Sequence, residues 1–372
     1  MRKIPLFTPR IPKGVEHSIG ETLASGYIAQ GSLVEQFESR FGAFVGNDNA
    51  CAASDVSGAI TLALYDAGVR PGDHVVLSPM VCLATSSPVA NLFARPVWSD
   101  IDARTGMPDI SSIRAALTPE TKAIILSHWS GDVGAIEEIY ALAKSRGIAL
   151  IEDASEAFGA TLNGQHLNAS FADYTVYSFG PVRQITCGEG AAVLTNSKDA
   201  FERLRRIRRY GINQQTFRLA SGDLNPSSDI PRAGFNFPFN NIGATLGLRQ
   251  LSEVPEILEK YRQNGSYFEN ALTGIPGLTQ LNRRVNCTSG YWTFSFRAEN
   301  RDSLIRKLVA AGVSCQRLHV RNDAYSCYQD SGVMPDLPGV TKFDLENISI
   351  PCGWWVNEED LLRISACIRE GW

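Results

Sequence analysis

The sequence predicts an α/β protein: a large domain on a mixed, mostly parallel sheet covered by helices, followed by a smaller C-terminal α/β domain. Two observations carry this. From Gly68 onward, short apolar strands alternate with helical segments, the spacing of a sheet whose crossovers are helices. Several of those strands also end in polar residues, among them His128, Asp153 and Ser178, where open α/β sheets collect their ligands. A chain of 372 residues has room for two cores of unequal size. We place the large domain, with its N-terminal arm, at residues 1–250 and the small one at 251–372.

In chain order, residues 15–45 read as two helices around the Gly-rich turn Ser25–Gly31, with Val34, Phe37, Phe41 and Phe44 at helical spacing. Cys51–Leu64 reads as a short strand, a small-residue turn and a helix. Small hydroxylic residues there suit an anion, with Ser57 as the phosphate contact, or a simple N-cap by Ser54 or Asp55. Strands follow at 72–79, 95–102, 123–129 and 148–156, with helices at 88–93 and 135–146. Tyr174–Phe179 is a strand, Gly180-Pro181 breaks it, and Ala191–Leu194 begins another. Residues 200–209 form a basic helix read as a solvated face, and 214–228, polar and aperiodic, a loop. Asn240 or Asn241 caps a helix in which Gly243, Ala244 and Gly247 allow close packing. A long helix at 254–272 leads into the small domain, which carries strands near 291–297, a helix at 302–311 and a strand into His319.

The stretch Ser178-Phe-Gly-Pro-Val-Arg183-Gln-Ile-Thr-Cys-Gly-Glu-Gly190 resembles the segment that carries the Schiff-base lysine in the DegT/DnrJ/StrS family of sugar aminotransferases, which bind pyridoxal phosphate. The resemblance is collinear over about residues 5 to 370 and implies the fold-type I aminotransferase architecture. Glu152-Asp153-Ala154 with Ala157-Phe-Gly-Ala160 matches the family's pattern, which implies that Asp153 pairs with the cofactor's pyridinium nitrogen. The resemblance further implies cofactor contacts at Ser57, Ser178 and Asn236, the last reaching the other subunit of a homodimer. Arg317–Asp323 resembles a subgroup of the family and gives His319 and Arg321 as substrate-binding candidates.

Departures from the pattern cluster at the site. Arg183 stands at the lysine position, Glu156 where Gln or His is common, Pro238 where a basic residue is common, and Val56-Ser57 match loosely. Arginine neither forms an imine nor gives up its proton, so the usual lysine route is closed. The catalytic candidates are therefore Arg183 itself, His128 and Glu156. Three readings stand: an enzyme using non-covalently bound pyridoxal or pyridoxamine phosphate on a nucleotide-linked keto-deoxysugar or cyclitol, a cofactor-free pseudoenzyme or partner of an active homologue, and a Lys-to-Arg variant of an ordinary aminotransferase. Because the neighbours depart too, natural divergence ranks above the variant.

Composition narrows the partners. A net charge of -4 makes no electrostatic case for nucleic acid or an acidic membrane. The start Arg2-Lys-Ile-Pro-Leu-Phe lacks the apolar core of a signal peptide, and no apolar run approaches the ~20 residues of a membrane span, so a cytoplasmic protein with a small-molecule substrate is expected. The eight cysteines form no C-x-x-C pair, which argues for reduced thiols and against a metal site.

Overall fold

The computed structural model describes residues 2–329 and 335–372. Helices α1 (Val15–Ala24) and α2 (Ser32–Val45) lead into β1 (Ala50–Ala53) and α3 (Val56–Asp66). Alternation then runs through β2 (His74–Leu77), α4 (Leu83–Asn91), β3 (Arg95–Trp98), α5 (Ile110–Ala116), β4 (Thr121–Ser127), α6 (Ile136–Arg146) and β5 (Ala149–Asp153). Two-residue strands β6 (Thr161–Leu162) and β7 (Gln165–His166) precede the hairpin partners β8 (Tyr174–Ser178) and β9 (Ala191–Leu194), then α7 (Lys198–Ile207) and α8 (Asn241–Leu251). The rest comprises α9 (Val254–Ala271), β10 (Leu278–Gln280), β11 (Cys287–Thr288), β12 (Phe294–Ala298), α10 (Arg301–Ala310), α11 (Pro338–Glu346), β13 (Asn347–Ile350) and α12 (Glu358–Arg369).

The main sheet has seven strands in the order β1-β9-β8-β5-β4-β2-β3. From β3 to β8 all neighbours are parallel, and only the β8–β9 and β9–β1 pairs are antiparallel. Its strands other than the edge strand β3 are largely buried, with one apolar core on each face. A second sheet, β10-β12-β13, has its own core of Phe268, Phe294, Phe296, Ile348 and Ile364.

The N-terminal arm packs against the second sheet: Ile4 is fully buried in that sheet's core, exchanges backbone hydrogen bonds with Gly312 and Ser314, and Pro5 and Thr8 accept from the Trp355 and Trp354 indoles. An arm rich in Pro is extended and satisfies its backbone best along another chain segment. Two expectations need amendment. Helix α4 starts at Leu83 rather than at Pro88, which sits inside it. The segment into His319 makes only isolated bridges at Val313 and Gln316, not a strand.

The basic helix is paired as well as solvated. Arg203 bonds Asp66, and Arg208, 1% exposed, is buried against Glu38. Glu38 also accepts the Ala52 N–H at 2.8 Å, tying α2 to β1. No helix among the described residues is long and apolar enough to cross a membrane, and those residues hold no cluster suited to a metal ion.

Candidate active site

Adjacent parallel strands β4, β5 and β8 end together, with Ser127 opposite Asp153 and Asp153 opposite Val176. A cavity opens at this edge, walled by Val56 at the start of α3, Thr85 on α4, Asp153 and Glu156 after β5, Arg183 from the β8–β9 loop, and His319 from the small unit. Asp153 is buried. Its Oδ2 accepts from Thr85 Oγ1 at 2.7 Å and from Ser127 Oγ at 3.4 Å, and its Oδ1 from the Ser155 N–H at 3.1 Å. These donors fix the carboxylate's orientation at the head of β5.

Glu156 accepts the Ser130 N–H at 2.9 Å and pairs with His319 Nε2 at 2.5 Å. Burial pushes the Glu156 carboxyl up, but His319, Arg183 and the Ser130 N–H together outweigh it and hold it below the ordinary glutamate range. Arg183 lies with its Cζ 4.2 Å from the centre of the Trp292 ring, a cation–π contact. The Trp292 indole is in turn anchored on the Val182 carbonyl at 2.7 Å. Gly131 makes this seat possible: at φ +107, a Cβ there would lie 2.3 Å from the Tyr291 nitrogen. Arg183 Nη1 is buried and has no hydrogen-bond partner among the described residues.

Four of the sequence candidates land elsewhere or are otherwise engaged. His128 borders the cavity, but its Nε2 donates to Glu152 at 2.9 Å and its Nδ1 accepts the Gly134 N–H at 3.1 Å, so neither nitrogen is free for a reacting group. It is buried. Arg321 does not wall the cavity. It forks onto Asp323 at 2.8 and 2.5 Å and reaches Thr341 at 3.0 Å, clamping its own segment. Ser57 donates to the Ala84 carbonyl at 3.1 Å, the acceptor that Pro88 leaves without its helical N–H. Asn236 is exposed, away from this chain's cavity, and the resemblance assigns it to the other subunit's site.

Ser178 sits at the end of β8, where its Oγ accepts the Gly180 N–H at 3.3 Å. Sequence reasoning missed Thr85, Ser155 and Trp129. Nothing in the sequence marks which hydroxyl of α4 faces a carboxylate at the end of β5.

Comparison with known proteins decides the ancestry. Residues 10–369 match the DegT/DnrJ/EryC1/StrS aminotransferase family. The chain belongs to that family. The spore coat polysaccharide biosynthesis protein SpsC of Bacillus subtilis is 30% identical over 275 residues, 74% of this chain and 70% of SpsC. The sugar aminotransferase CalS13 from Micromonospora echinospora superposes with a TM-score of 0.93 at 29% identity, covering 99% of this chain and all of CalS13. A putative sugar aminotransferase from Streptococcus pneumoniae, Spr1654, 22% identical with TM-scores of 0.90 and 0.89 over 99% of this chain and 97–98% of its own, has been solved in pyridoxamine- and pyridoxal-phosphate forms.

The family's cofactor is a fair test of the site. Asp153 offers a buried, oriented carboxylate for a ring N–H. At the start of α3 the Val56 and Ser57 N–H groups have no partner among the described residues, the arrangement that favours an anion. Ser178 keeps its O–H to donate. The same helix end is capped by the Asp55 carboxylate, which accepts from Gly58 at 2.8 Å and from Ser54 at 2.7 Å, a negative charge close to where a phosphate would dock. Among the described residues, no lysine lines the cavity. The chain thus has groups for the ring nitrogen and for a phosphate, and none for a covalent bond to the cofactor.

Proposed function

We propose that this chain works in sugar or antibiotic biosynthesis on a nucleotide-linked keto-deoxysugar or related cyclitol, with pyridoxal or pyridoxamine phosphate held non-covalently. The observation that carries the reading is Asp153, a buried carboxylate fixed by Thr85, Ser127 and the Ser155 N–H at the wall of the cavity. A scaffold protein has no use for that arrangement. When bound, the cofactor would supply an electron sink, and its ring nitrogen would meet Asp153. Arg183 binds and orients, because a guanidinium does not release its proton. Proton movement then falls to His319, whose Nε2 is held by Glu156 and whose Nδ1 has no hydrogen bond among the described residues. We place the protein in the cytoplasm as a homodimer in which Asn236 serves the neighbouring site.

A second reading has its own support. Ser57 is committed to α4 and Asp55 brings negative charge to the phosphate end, both of which suit a cofactor-free relative that partners an active homologue. Absorbance titration with each cofactor, followed by borohydride, separates the two. The proposal expects a bound chromophore that borohydride does not attach to the wild-type chain but does attach to Arg183→Lys. Absence of binding by either cofactor form would decide for the second reading.

A further inference from the structure

We propose that Arg183 receives a carboxylate carried by the sugar itself, so that the site takes acidic, uronic-acid-type nucleotide sugars. The inference deepens the reading above and rests on it only for the sugar. It starts from what the cavity leaves unmet. Arg183 Nη1, Ser155 Oγ and Trp129 Nε1 are buried donors without partners among the described residues, in side chains that are 9%, 4% and 2% exposed, and all three residues wall the same cavity. Buried donors are almost always satisfied, so their natural complement is a ligand rich in acceptor oxygens.

The cavity's two carboxylates, by contrast, already have donors. Glu156 takes His319 and the Ser130 N–H, and Asp153 takes two hydroxyls and an N–H. Arg183 adds charge to this demand. It lies against the Trp292 face and in the field of Glu156, itself paired with His319. A planar guanidinium matches a carboxylate in two parallel hydrogen bonds, and a hydroxymethyl group in that place offers no charge. A phosphate has other donors here, the free N–H groups opening α3 and the Ser178 hydroxyl.

The test is calorimetric titration of the full chain with two matched pairs, UDP-glucuronic acid against UDP-glucose and the dTDP-linked equivalents, in wild type, Arg183→Gln and Arg183→Lys. The proposal expects the acidic sugar of at least one pair to bind the wild type about tenfold or more tightly than its neutral twin, the worth of one charge-assisted contact. That preference disappears in Arg183→Gln and survives in part in Arg183→Lys, which keeps the charge without the fork. Equal affinities within both pairs, or no binding of any of the four, would overturn it. So would a loss of pyridoxal phosphate affinity in Arg183→Gln, which would make Arg183 a phosphate ligand. Cofactor binding is read separately by absorbance, so an acid preference in a chain that binds no cofactor sinks the earlier reading and leaves this one standing.

Discussion

Glu156 is where charge and stability meet. Its folded pKa lies below the ordinary value because His319, Arg183 and the Ser130 N–H outweigh burial. Stability from such a group is fully present above the unfolded pKa and is lost as pH falls through the depressed folded one. Glu156→Gln should therefore cost about 1.5–3 kcal/mol at neutral pH, the range for a charged hydrogen bond. That cost should shrink once the pH drops below about 4, where the unfolded glutamate takes up its proton. Paired thermal melts across the acid limb read this directly, and a cost that ignores pH would show that the carboxylate's charge is not what matters. At this scale the chain neighbours of Asp153 and Arg183 form a pattern that singles them out, and both residues wall the cavity. For His128 the sequence gives the place but not the partners: it borders the cavity just after β4, and only the fold brings Glu152 and the Gly134 N–H onto its two ring nitrogens.

Helix α4 shows how one element borrows from another. Pro88 removes the N–H that Ala84 would have received, and Ser57 at the second position of α3 replaces it. Ser57→Ala should cost about 1 kcal/mol in urea melts, as expected for an unmade hydrogen bond. In a Pro88→Ala background the helix regains its own donor, and the same substitution should become nearly neutral, a coupling that a double-mutant cycle resolves. A substitution whose cost is the same in both backgrounds would mean that the hydroxyl serves something other than α4. Local pattern located most strands and the long helices, since β-branched runs and apolar periodicity are properties of a segment. It placed the start of α4 too late because a proline reads as a beginning unless a hydroxyl from elsewhere in the fold rescues the interior position.

The second sheet has a core apart from the two that flank the main sheet, and the arm joins it. Ile4 lies wholly inside that core although it precedes the main sheet in the chain. Ile4→Ala should lower stability by about 2–5 kcal/mol, the range for emptying a fully buried aliphatic site, and thermal melts would show it. No periodicity in a short, proline-bracketed stretch could have announced which core it joins. The general architecture was legible because alternating strands and helices admit few arrangements, whereas the join between units depends on contacts more than a hundred residues apart. The cavity itself gathers distant segments: Asp153 and Glu156 stand at and just after the end of β5, His319 comes from far along the chain, and the nearby Asn322 amide donates to the carbonyls of Pro79 and Val81 at 3.2 and 2.6 Å. Whatever fills the cavity is therefore mortar as well as cargo. Heat resistance becomes a reading of ligand supply, and a cell starved of that ligand would hold a looser chain, more open to proteolysis.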